Sequence, residues 1–364
     1  MKNNEFYMKK AIALAKKGAG FVSPNPIVGA IVLDKNGTIA GYGYHQKYGE
    51  AHAEVNAIKN AEDNGFSCKD GTIFVTLEPC SHYGKTPPCA DLIIKKEFKK
   101  VVVGCIDPNP IVAGNGIKKI KSAGIDVITG ILEEDCKKLN EIFFKNQQQN
   151  LPFIAIKTAT TMDGKIATKT GFSKWITSEK SRNLVQKLRH NYDAILTGSG
   201  TVIADNPSLT CRIKNGKSPI RIILDTTLKT NKNSNVYNND DIKVFVAFDE
   251  KLEKKDYGEN VELIPCKTKN GKIDLKDLSI KLYEKGIKSI LVEAGGNING
   301  EFIKEKLADK IYQFIAPKIT GDNESKSFLT GFDLMDINKS IQVSINSIKL
   351  LTPDMLIESY IQYI

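Results

Sequence analysis

The sequence lacks several features that would indicate a membrane or secreted protein. No apolar run in its 364 residues approaches the roughly 20 that a membrane-spanning helix needs, so no membrane association is expected. The seven cysteines are odd in number and follow no regular spacing, which argues against a disulfide-built secreted fold. No segment repeats with a period of about 20 to 50 residues, so repeat architectures are not expected either. These absences favour a cytoplasmic globular protein.

The amino-terminal segment and the charge balance also bear on where the protein acts and what it binds. MKNNEFYMKKAIALAKKGAG carries Glu5 and has lysines between its apolar positions, which predicts an amphipathic helix and not a signal peptide. Lysine and arginine outnumber the acids by 52 to 42, so the net charge is +10. This excess of positive charge could attract nucleic acid or a phosphorylated small molecule, or it could only keep the protein soluble. Lysine pairs in KKAIALAKK and IKKEFKK are typical of solvated helix faces.

Length and element pattern predict two α/β domains, since one hydrophobic core rarely organises a chain of 364 residues. Residues 1–145 alternate helix and strand signals, with a hairpin signal at DKNG, and this predicts a mixed sheet. The polar stretch NQQQNLP (146–152) is the best linker candidate. The α/β alternation then restarts and ends in a strand-like last third. We predict domains at residues 1–147 and 148–364.

One histidine and two cysteines of the first domain are placed to bind a metal. His52 and Glu54 open a helical pattern in AHAEVNA. Cys80 follows a proline just past the strand TIFVTL, and Cys89 follows a proline pair that suits a helix start. The three ligand residues can meet at helix N-termini, where partial positive charge favours thiolates. Three protein ligands leave one tetrahedral position of zinc for water, as in catalytic sites, and Glu54 can then shuttle protons to a leaving amine.

Each of these residues alone has a simpler explanation. A single histidine is usually surface or core filler, and a buried cysteine is usually a small hydrophobe. His-x-Glu at a helix start, followed by strand-Pro-Cys, is a joint pattern that indicates a site. A structural zinc module would need a fourth protein ligand, and no further cysteine or histidine stands at a plausible spacing, Cys68 and Cys105 being the nearest cysteines in sequence.

The same residues resemble the zinc cytidine-deaminase superfamily, whose signature pairs H-x-E with P-C-x-x-C. Here eight residues, SHYGKTPP, separate the two cysteines. With that spacing, PNPIVGAIV, HAEVNAI, VTLEPCSHYGKTPPC and DPNPIVAGNGI resemble the deaminase half of the bifunctional riboflavin-biosynthesis deaminase-reductases. The resemblance implies a cytidine-deaminase-like three-layer domain.

For the first domain, the resemblance also implies a zinc site and a substrate. It implies that His52, Cys80 and Cys89 bind Zn²⁺ and that Glu54 is the catalytic proton shuttle. The implied substrate is a diaminopyrimidinone that carries a phosphoribosylamino group, which is deaminated hydrolytically. Its implied contacts are Asn25, His45, His82 and Lys85. A cation beside a phosphorylated substrate is physically reasonable, although a residue such as Lys85 taken alone is more often a solvated loop lysine.

The second domain lacks the dinucleotide-binding pattern G-x-G-x-x-G. GSGTVI has isoleucine where the third glycine belongs. ILVEAGGNINGEF predicts a strand ending in Glu293, then two glycines and a helix. Backbone N–H groups at that helix start could hold a nucleotide phosphate, or the segment could be only a tight strand-to-helix turn.

The motifs KTATTMDGKIAT, SKWITS, LTGSGTVIADNPSLTCR, IRIILD and VEAGGNING resemble the reductase half of the same family. The resemblance implies a dihydrofolate-reductase-like α/β domain and NADPH-dependent reduction of the ribosyl group to ribityl. The implied cofactor contacts are Ala159, Trp175, Thr201, Asp205, Thr226, Gly295 and Gly296. The implied substrate contacts are Lys157, Ser173, Arg189, Leu209, Arg212 and Glu293. A lone tryptophan such as Trp175 could wall a nicotinamide or simply pack in a core.

A bifunctional riboflavin-biosynthesis enzyme is therefore the leading interpretation. The alternative is a tRNA-type base deaminase with an appended basic domain, which would bind RNA in a strongly salt-dependent way. The eight-residue spacer and the second-domain resemblance argue against it. We expect a phosphorylated ribosylaminopyrimidine substrate, no nucleic-acid or membrane partner and, from the resemblance, a homo-oligomer.

Overall fold

The computed structural model describes residues 3–83, 87–109, 113–238 and 242–363. The chain divides into two compact units, Met1–Asn150 and Leu151–Ile364, each with its own sheet. Within the described ranges, no helix combines the length and apolar content needed to cross a bilayer.

The first unit alternates helices and strands along the chain. Its helices are α1 (Asn4–Ala15), α2 (Ala53–Asp63), α3 (Cys89–Lys95), α4 (Asn115–Ser122), α5 (Glu133–Leu139) and α6 (Glu141–Gln149), with a 3₁₀ turn at Lys16–Gly18. Its strands are β1 (Gly29–Leu33), β2 (Ile39–Tyr44), β3 (Thr72–Leu77), β4 (Lys100–Cys105) and β5 (Asp126–Ile128).

The five strands form one mixed sheet between two layers of helices. The strand order is β2-β1-β3-β4-β5; β1 runs antiparallel to β2 and β3, and β3, β4 and β5 are parallel. Side chains of α2, α3 and α4 fill the core on one face, and those of α1, α5 and α6 fill the core on the other. Because β3 and β4 are parallel, the residues that follow them emerge at the same edge of the sheet.

Helix α2 lies unusually close to β2. A side chain at Gly43 would place its Cβ 2.4 Å from the backbone nitrogen of Ala57, and one at Gly41 would lie 2.3 Å from the carbonyl oxygen of Ala57. The two glycines and the small alanine face of α2 therefore permit backbone-to-backbone packing. This packing sets where the first turn of α2, with its functional residues, meets the sheet.

The predicted linker is the clearest difference from expectation. The polar run at 146–152 is helical up to Gln149, because α6 continues through it, and Asn146 is buried. Phe143 and Phe144 on the same helix pack against the core beneath α1. These two apolar residues precede the glutamine-rich end of the helix. The polar composition of residues 146–152 therefore gave no sign that the helix continues into them.

The second unit contains four helices and thirteen strands within its described residues. The helices are α7 (Glu179–Asn191), α8 (Ser199–Asp205), α9 (Leu275–Glu284) and α10 (Gly296–Lys304), with a 3₁₀ turn at Ile337–Lys339. The strands are β6 (Phe153–Thr160), β7 (Lys165–Ala167), β8 (Ala194–Gly198), β9 (Ile220–Leu224), β10 (Val244–Asp249), β11 (Val261–Cys266), β12 (Thr268–Lys269), β13 (Lys272–Ile273), β14 (Ser289–Val292), β15 (Lys310–Ile315), β16 (Lys326–Ser327), β17 (Gln342–Leu351) and β18 (Asp354–Gln362).

Nine of these strands form the main sheet, in the order β11-β10-β9-β8-β14-β6-β15-β18-β17. The first seven strands in this spatial order are parallel to one another. The last two, β18 and β17, are antiparallel to their neighbours and form one edge of the sheet. The parallel strands all present their carboxyl ends at one edge, where ligands bind in open α/β sheets. Helix α8 and strand β11 were not expected: α8 is short and contains Gly200, and β11 is a half-exposed edge strand with Pro265.

Candidate functional site

The three predicted metal ligands meet in the first unit. His52 is the N-cap residue of α2, Cys89 is the first residue of α3, and Cys80 follows β3. Their ligand atoms lie within 4.8 Å of one another. Within the described ranges no fourth histidine, cysteine or acid joins this group. The site is therefore open in the manner of a catalytic metal centre and unlike a closed structural one.

The spacing of these atoms suits zinc. The distances from His52 Nδ1 to Cys80 Sγ and Cys89 Sγ are 3.7 and 3.4 Å. Tetrahedral zinc with ordinary Zn–N and Zn–S bond lengths separates a nitrogen and a sulfur ligand by about 3.6 Å. The backbone N–H of Cys89 also donates to Cys80 Sγ at 3.3 Å. One imidazole and two thiol groups are thus already arranged as a zinc ligand set.

Glu54 is held beside this group in the first turn of α2. Its carboxyl group is buried, and that burial, together with the nearby charge of Cys80, raises the pKa of Glu54 to about 7. Hydrogen bonding from Cys89 lowers the pKa of the Cys80 thiol to about 4. Cys80 is therefore a thiolate, and Glu54 can change its protonation state close to neutral pH.

Asn25 and His45 lie next to the metal group. The Asn25 side-chain amide donates to His45 Nε2 at 3.2 Å, and His45 Nδ1 lies 3.1 Å from the carbonyl oxygen of Ala51. Burial lowers the pKa of His45, and this arrangement requires a neutral ring with its proton on Nδ1. The rings of His45 and His52 pack edge to face, with 5.4 Å between their centroids. The structure therefore brings both predicted substrate contacts to the metal site.

For the other two predicted substrate contacts of this unit, the structure gives less information. His82 is exposed two positions after Cys80, at the rim of the group. Lys85 lies outside the described residues.

Asn140 supports a segment that leads to this site, and sequence reasoning missed it. Its side chain accepts from the N–H of Ile27 at 2.7 Å and donates to the carbonyl oxygen of Ile27 at 2.9 Å. It thereby holds the segment that carries Asn25. More than 100 residues separate the partners, and the only sequence signal was an asparagine between two helices, which is common in turns.

In the second unit, three predicted residues form an ion cluster at the carboxyl edge of the sheet. Glu293, directly after β14, accepts from Lys157 Nζ at 3.1 Å and from Arg189 Nε and Nη2 at 2.8 and 3.0 Å. Burial opposes ionisation of Glu293, but the charges of Arg189 and Lys157 lower its pKa to about 2. Arg189 also donates to the carbonyl oxygen of Thr210. The cluster is thus a fixed, ionised array beside an open sheet edge.

Helix α7 positions the segment that carries Leu209 and Arg212. Gln186 accepts from the backbone N–H of Arg212 at 3.0 Å, one turn before Arg189. Leu209 is buried with a φ of 53°, a left-handed conformation that non-glycine residues rarely adopt. Such strain persists only where surrounding contacts hold it, as they do here.

Several predicted cofactor contacts lie at or near the same sheet edge, on a strand, on a loop or at a helix start. Ala159 shares a face of β6 with Lys157, Thr226 follows β9, and Gly295 precedes α10 after β14. A side chain at Gly296 would lie 2.3 Å from the carbonyl oxygen of Ser327, whereas nothing lies within 4 Å of one at Gly295. Gly296 is therefore required by packing, and Gly295 faces open space.

Trp175 is 64% exposed, so it is not core packing. The Arg182 guanidinium lies 4.5 Å from its ring centroid, and Lys318 Nζ donates to its carbonyl oxygen at 2.7 Å. Thr201 and Asp205 lie on α8 and Ser173 on the loop before α7. Hydrogen bonds between described residues do not tie Thr201, Asp205 or Ser173 to the Glu293 cluster.

Two family models match the chain. The RibD C-terminal domain matches residues 152–357, and the cytidine and deoxycytidylate deaminase zinc-binding region matches residues 1–105. The first covers more than half of the chain.

Curated relatives match over nearly the whole length. Riboflavin biosynthesis protein RibD of Aquifex aeolicus is 43% identical over 356 residues, which covers 96% of each chain. The RibD protein of Actinobacillus pleuropneumoniae is 40% identical over 356 residues, 97% of this chain and 94% of the relative.

Solved structures agree with this. A diaminohydroxyphosphoribosylaminopyrimidine deaminase/5-amino-6-(5-phosphoribosylamino)uracil reductase from Thermotoga maritima has a TM-score of 0.89, with 41% identity and 98% coverage of both chains. RibD of Acinetobacter baumannii has a TM-score of 0.87, with 33% identity and 99% coverage of both. The expected fold class is confirmed: a cytidine-deaminase-like unit is followed by a reductase unit.

Proposed function

We propose that the two activities of this chain, which belongs to the RibD family of riboflavin-biosynthesis enzymes, reside in separate domains. The family establishes a bifunctional enzyme, a zinc-dependent pyrimidine deaminase that is also a reductase. We assign deamination to residues 1–147 and reduction to residues 148–364. The observation that carries this assignment is the open His52–Cys80–Cys89 group with buried Glu54 beside it.

In the deaminase site, His52, Cys80 and Cys89 would hold zinc. Zinc bound there supplies a coordinated water whose pKa lies near neutrality. Glu54 takes a proton from the attacking water and delivers it to the departing ammonia, and its raised pKa of about 7 suits both transfers. The neutral His45 and the amide of Asn25 orient the pyrimidine ring, and we assign recognition of its phosphoribosyl group to His82 and Lys85. Support for the two orienting residues is the hydrogen bond that joins them.

In the reductase site, the hydride belongs to the nicotinamide cofactor, for which we propose NADPH. The residues assigned to hold it are Ala159 on β6, Thr201 and Asp205 on α8, Gly296 at the start of α10, and Trp175, Thr226 and Gly295 on loops. Lys157 and Arg189, fixed by Glu293, face the phosphoribosyl group together with Ser173, Leu209 and Arg212. A forked guanidinium suits phosphate oxygens, and the ion pairs with Glu293 hold both cationic side chains in fixed orientations.

The cofactor assignment predicts a fluorescence signal, because Trp175 is the only tryptophan in the chain. We expect NADPH to quench its emission by energy transfer to the nicotinamide, with a Kd at least about tenfold lower than that for NADH, a difference of ~1.4 kcal/mol. Titration of both nucleotides measures this, and Trp175→Phe is the control that removes the signal. Equal affinities would overturn the preference for NADPH. Full reductase activity without quenching would remove Trp175 from the cofactor site.

For the homo-oligomer we propose a specific surface. The strand register places eleven residues on one face of β15, β18 and β17, of which Ser359 and Ile361 are buried. We call the other nine the open face: Ile311, Gln313, Ile315, Val343, Ile345, Ile348, Leu350, Met355 and Ile357. On β17 the apolar side chains are well exposed, up to 78% at Leu350. No residue of the open face is charged, although the chain carries a net charge of +10.

A second copy of the chain is the occupant that this chemistry fits. Two copies of a strongly basic protein can approach through a neutral apolar patch without bringing like charges together. A contiguous exposed apolar patch on a long edge strand marks an interface. We therefore propose a two-fold dimer in which the open faces pack on each other.

Ile348→Lys tests the dimer. Each interface would receive two lysines and lose two buried isoleucines, worth about 1.5–3 kcal/mol each, so the dimer Kd should rise at least about 100-fold. Sedimentation equilibrium of the full chain measures this. Ile280→Lys, on the exposed side of α9, is the matched control and should remain dimeric. A monomeric wild type, or a variant that dimerises like the wild type, would contradict the proposal.

A further inference from the structure

Glu78, the residue after β3, lies two positions before a zinc ligand and makes an unusual set of contacts. Its buried carboxylate accepts from four backbone N–H groups: Oε2 from Asp107 and Gly114 at 3.3 and 2.9 Å, and Oε1 from Gly116 and Ile117 at 2.9 and 3.2 Å. The last three donors lie at the start of α4. One side chain thus occupies the N-terminus of a helix and also binds the segment that follows β4.

A second feature joins the same two elements. A side chain at Gly116 would lie 2.0 Å from the carbonyl oxygen of Pro79, so the backbone of α4 touches the turn that carries Cys80. The backbone N–H of Glu78 donates to the carbonyl oxygen of Cys105 at 3.0 Å. The ends of β3 and β4 and the start of α4 are therefore locked together around Glu78.

The segment that Glu78 holds reaches the deaminase site. Asp107 and Asn109 follow β4, and because β3 and β4 are parallel, this segment emerges at the same edge of the sheet as the turn that carries Cys80. The backbone N–H of Asn109 donates to Asp107 Oδ1 at 2.8 Å. Asp107 and Asn109 therefore bring polar groups to the sheet edge that carries the metal group, where a polar pyrimidine has to be recognised.

We infer that Glu78 is a positioning residue for the deaminase: its carboxylate fixes the backbone around Asp107 and Asn109 so that their polar groups face the pyrimidine. This inference rests on the proposed deaminase site. Glutamate suits the task because two carboxylate oxygens, each with two lone pairs, satisfy four donors at once. A glutamine in its place would keep one acceptor oxygen and turn an NH₂ group toward two N–H donors.

Glu78→Gln in the full-length, zinc-loaded protein tests the inference. We expect KM for deamination to rise at least about tenfold, with a smaller change in kcat, because the metal group and Glu54 are not altered. Zinc content should stay at the wild-type value, and reduction of the deaminated substrate should be unchanged. Amide hydrogen exchange at Gly114, Gly116 and Ile117 should become faster. Gly116→Ala, which separates α4 from Pro79 by another route, should raise the same KM and also serves if Glu78→Gln does not fold.

Ile120→Val is the matched control, because it loosens the buried face of α4 without touching the segment around Asp107. It should lower the Tm and leave KM at the wild-type value. Wild-type KM in Glu78→Gln with a lowered Tm would show that Glu78 serves stability alone, and an equal rise of KM in Ile120→Val would overturn the inference in the same way. A wild-type enzyme that released no ammonia would count against the proposed deaminase site. Unchanged amide exchange in Glu78→Gln would then overturn the positioning role independently of activity.

Discussion

Glu54→Gln abolishes ammonia release and leaves zinc binding and the reductase intact; this is the largest single effect that we expect. Glutamine has nearly the same shape as glutamate, so the first turn of α2 and the ligand His52 should stay in place. It cannot take up or deliver a proton, and general acid–base groups contribute typically 10²–10⁴-fold. We expect the deaminase kcat to fall by roughly that factor. The measurement is ammonia release, with zinc content determined on the same sample.

Glu62→Gln is the control for this variant. Glu62 lies on the same helix and pairs with Lys96 at the surface, so its replacement should leave deamination unchanged. Loss of zinc from Glu54→Gln would show that Glu54 is a ligand. A deaminase rate within tenfold of the wild type would show that another group moves the proton.

Glu293→Gln should produce the second large effect, in the other unit. It removes the charge that fixes Lys157 and Arg189, both of which are largely buried. Misplacing groups by about 1 Å can cost 10²-fold in rate, so we expect reduction to fall at least about 100-fold. Breaking a buried pair from one side costs roughly 3–5 kcal/mol, which should appear in urea unfolding of the reductase unit.

The stability effect of Glu293→Gln should depend on pH with a defined sign. The pKa of Glu293 is about 2 in the folded chain, below its ordinary value of 4.5. The stabilisation from its carboxylate is therefore complete above about pH 4.5 and is lost as pH falls through the folded pKa. The difference in unfolding free energy between wild type and variant should be constant from neutral pH to about pH 5 and shrink below it.

Glu301→Gln is the control on the neighbouring helix α10. Glu301 pairs with an exposed Lys272, and such surface pairs contribute little. A stability difference that persisted unchanged to pH 2 would contradict the ionised state assigned to Glu293.

The two carboxylate variants together test how the chain divides its activities. Glu54→Gln should lose only deamination, and Glu293→Gln should lose only reduction. Loss of both activities in either variant would contradict the assignment of one activity to each domain.

Much of the deaminase site could be predicted from local sequence, because its chemistry depends on residue type and on position relative to element ends. His52 and Cys89 are helix-start residues and Cys80 follows a strand, and the structure brings the three together. The parallel pairing of β3 and β4 then required the segments after them to emerge at one edge. The polar stretch at 146–152 contains the boundary between the two units, after Asn150, but its first four residues are helical because the apolar residues that hold α6 precede them.

Local sequence was enough to indicate the class of chemistry, through a His-x-Glu helix start, two spaced cysteines, and a Glu-Ala-Gly-Gly strand end without a dinucleotide fingerprint. The buried groups that support this chemistry are defined by contacts between distant parts of the fold. Glu78 binds the start of α4, Asn140 holds Ile27, and Arg189 pairs with Glu293 across 104 residues of sequence. The physical reason is that a buried carboxylate or amide must find its partners through space, and no local pattern specifies a partner that the fold supplies.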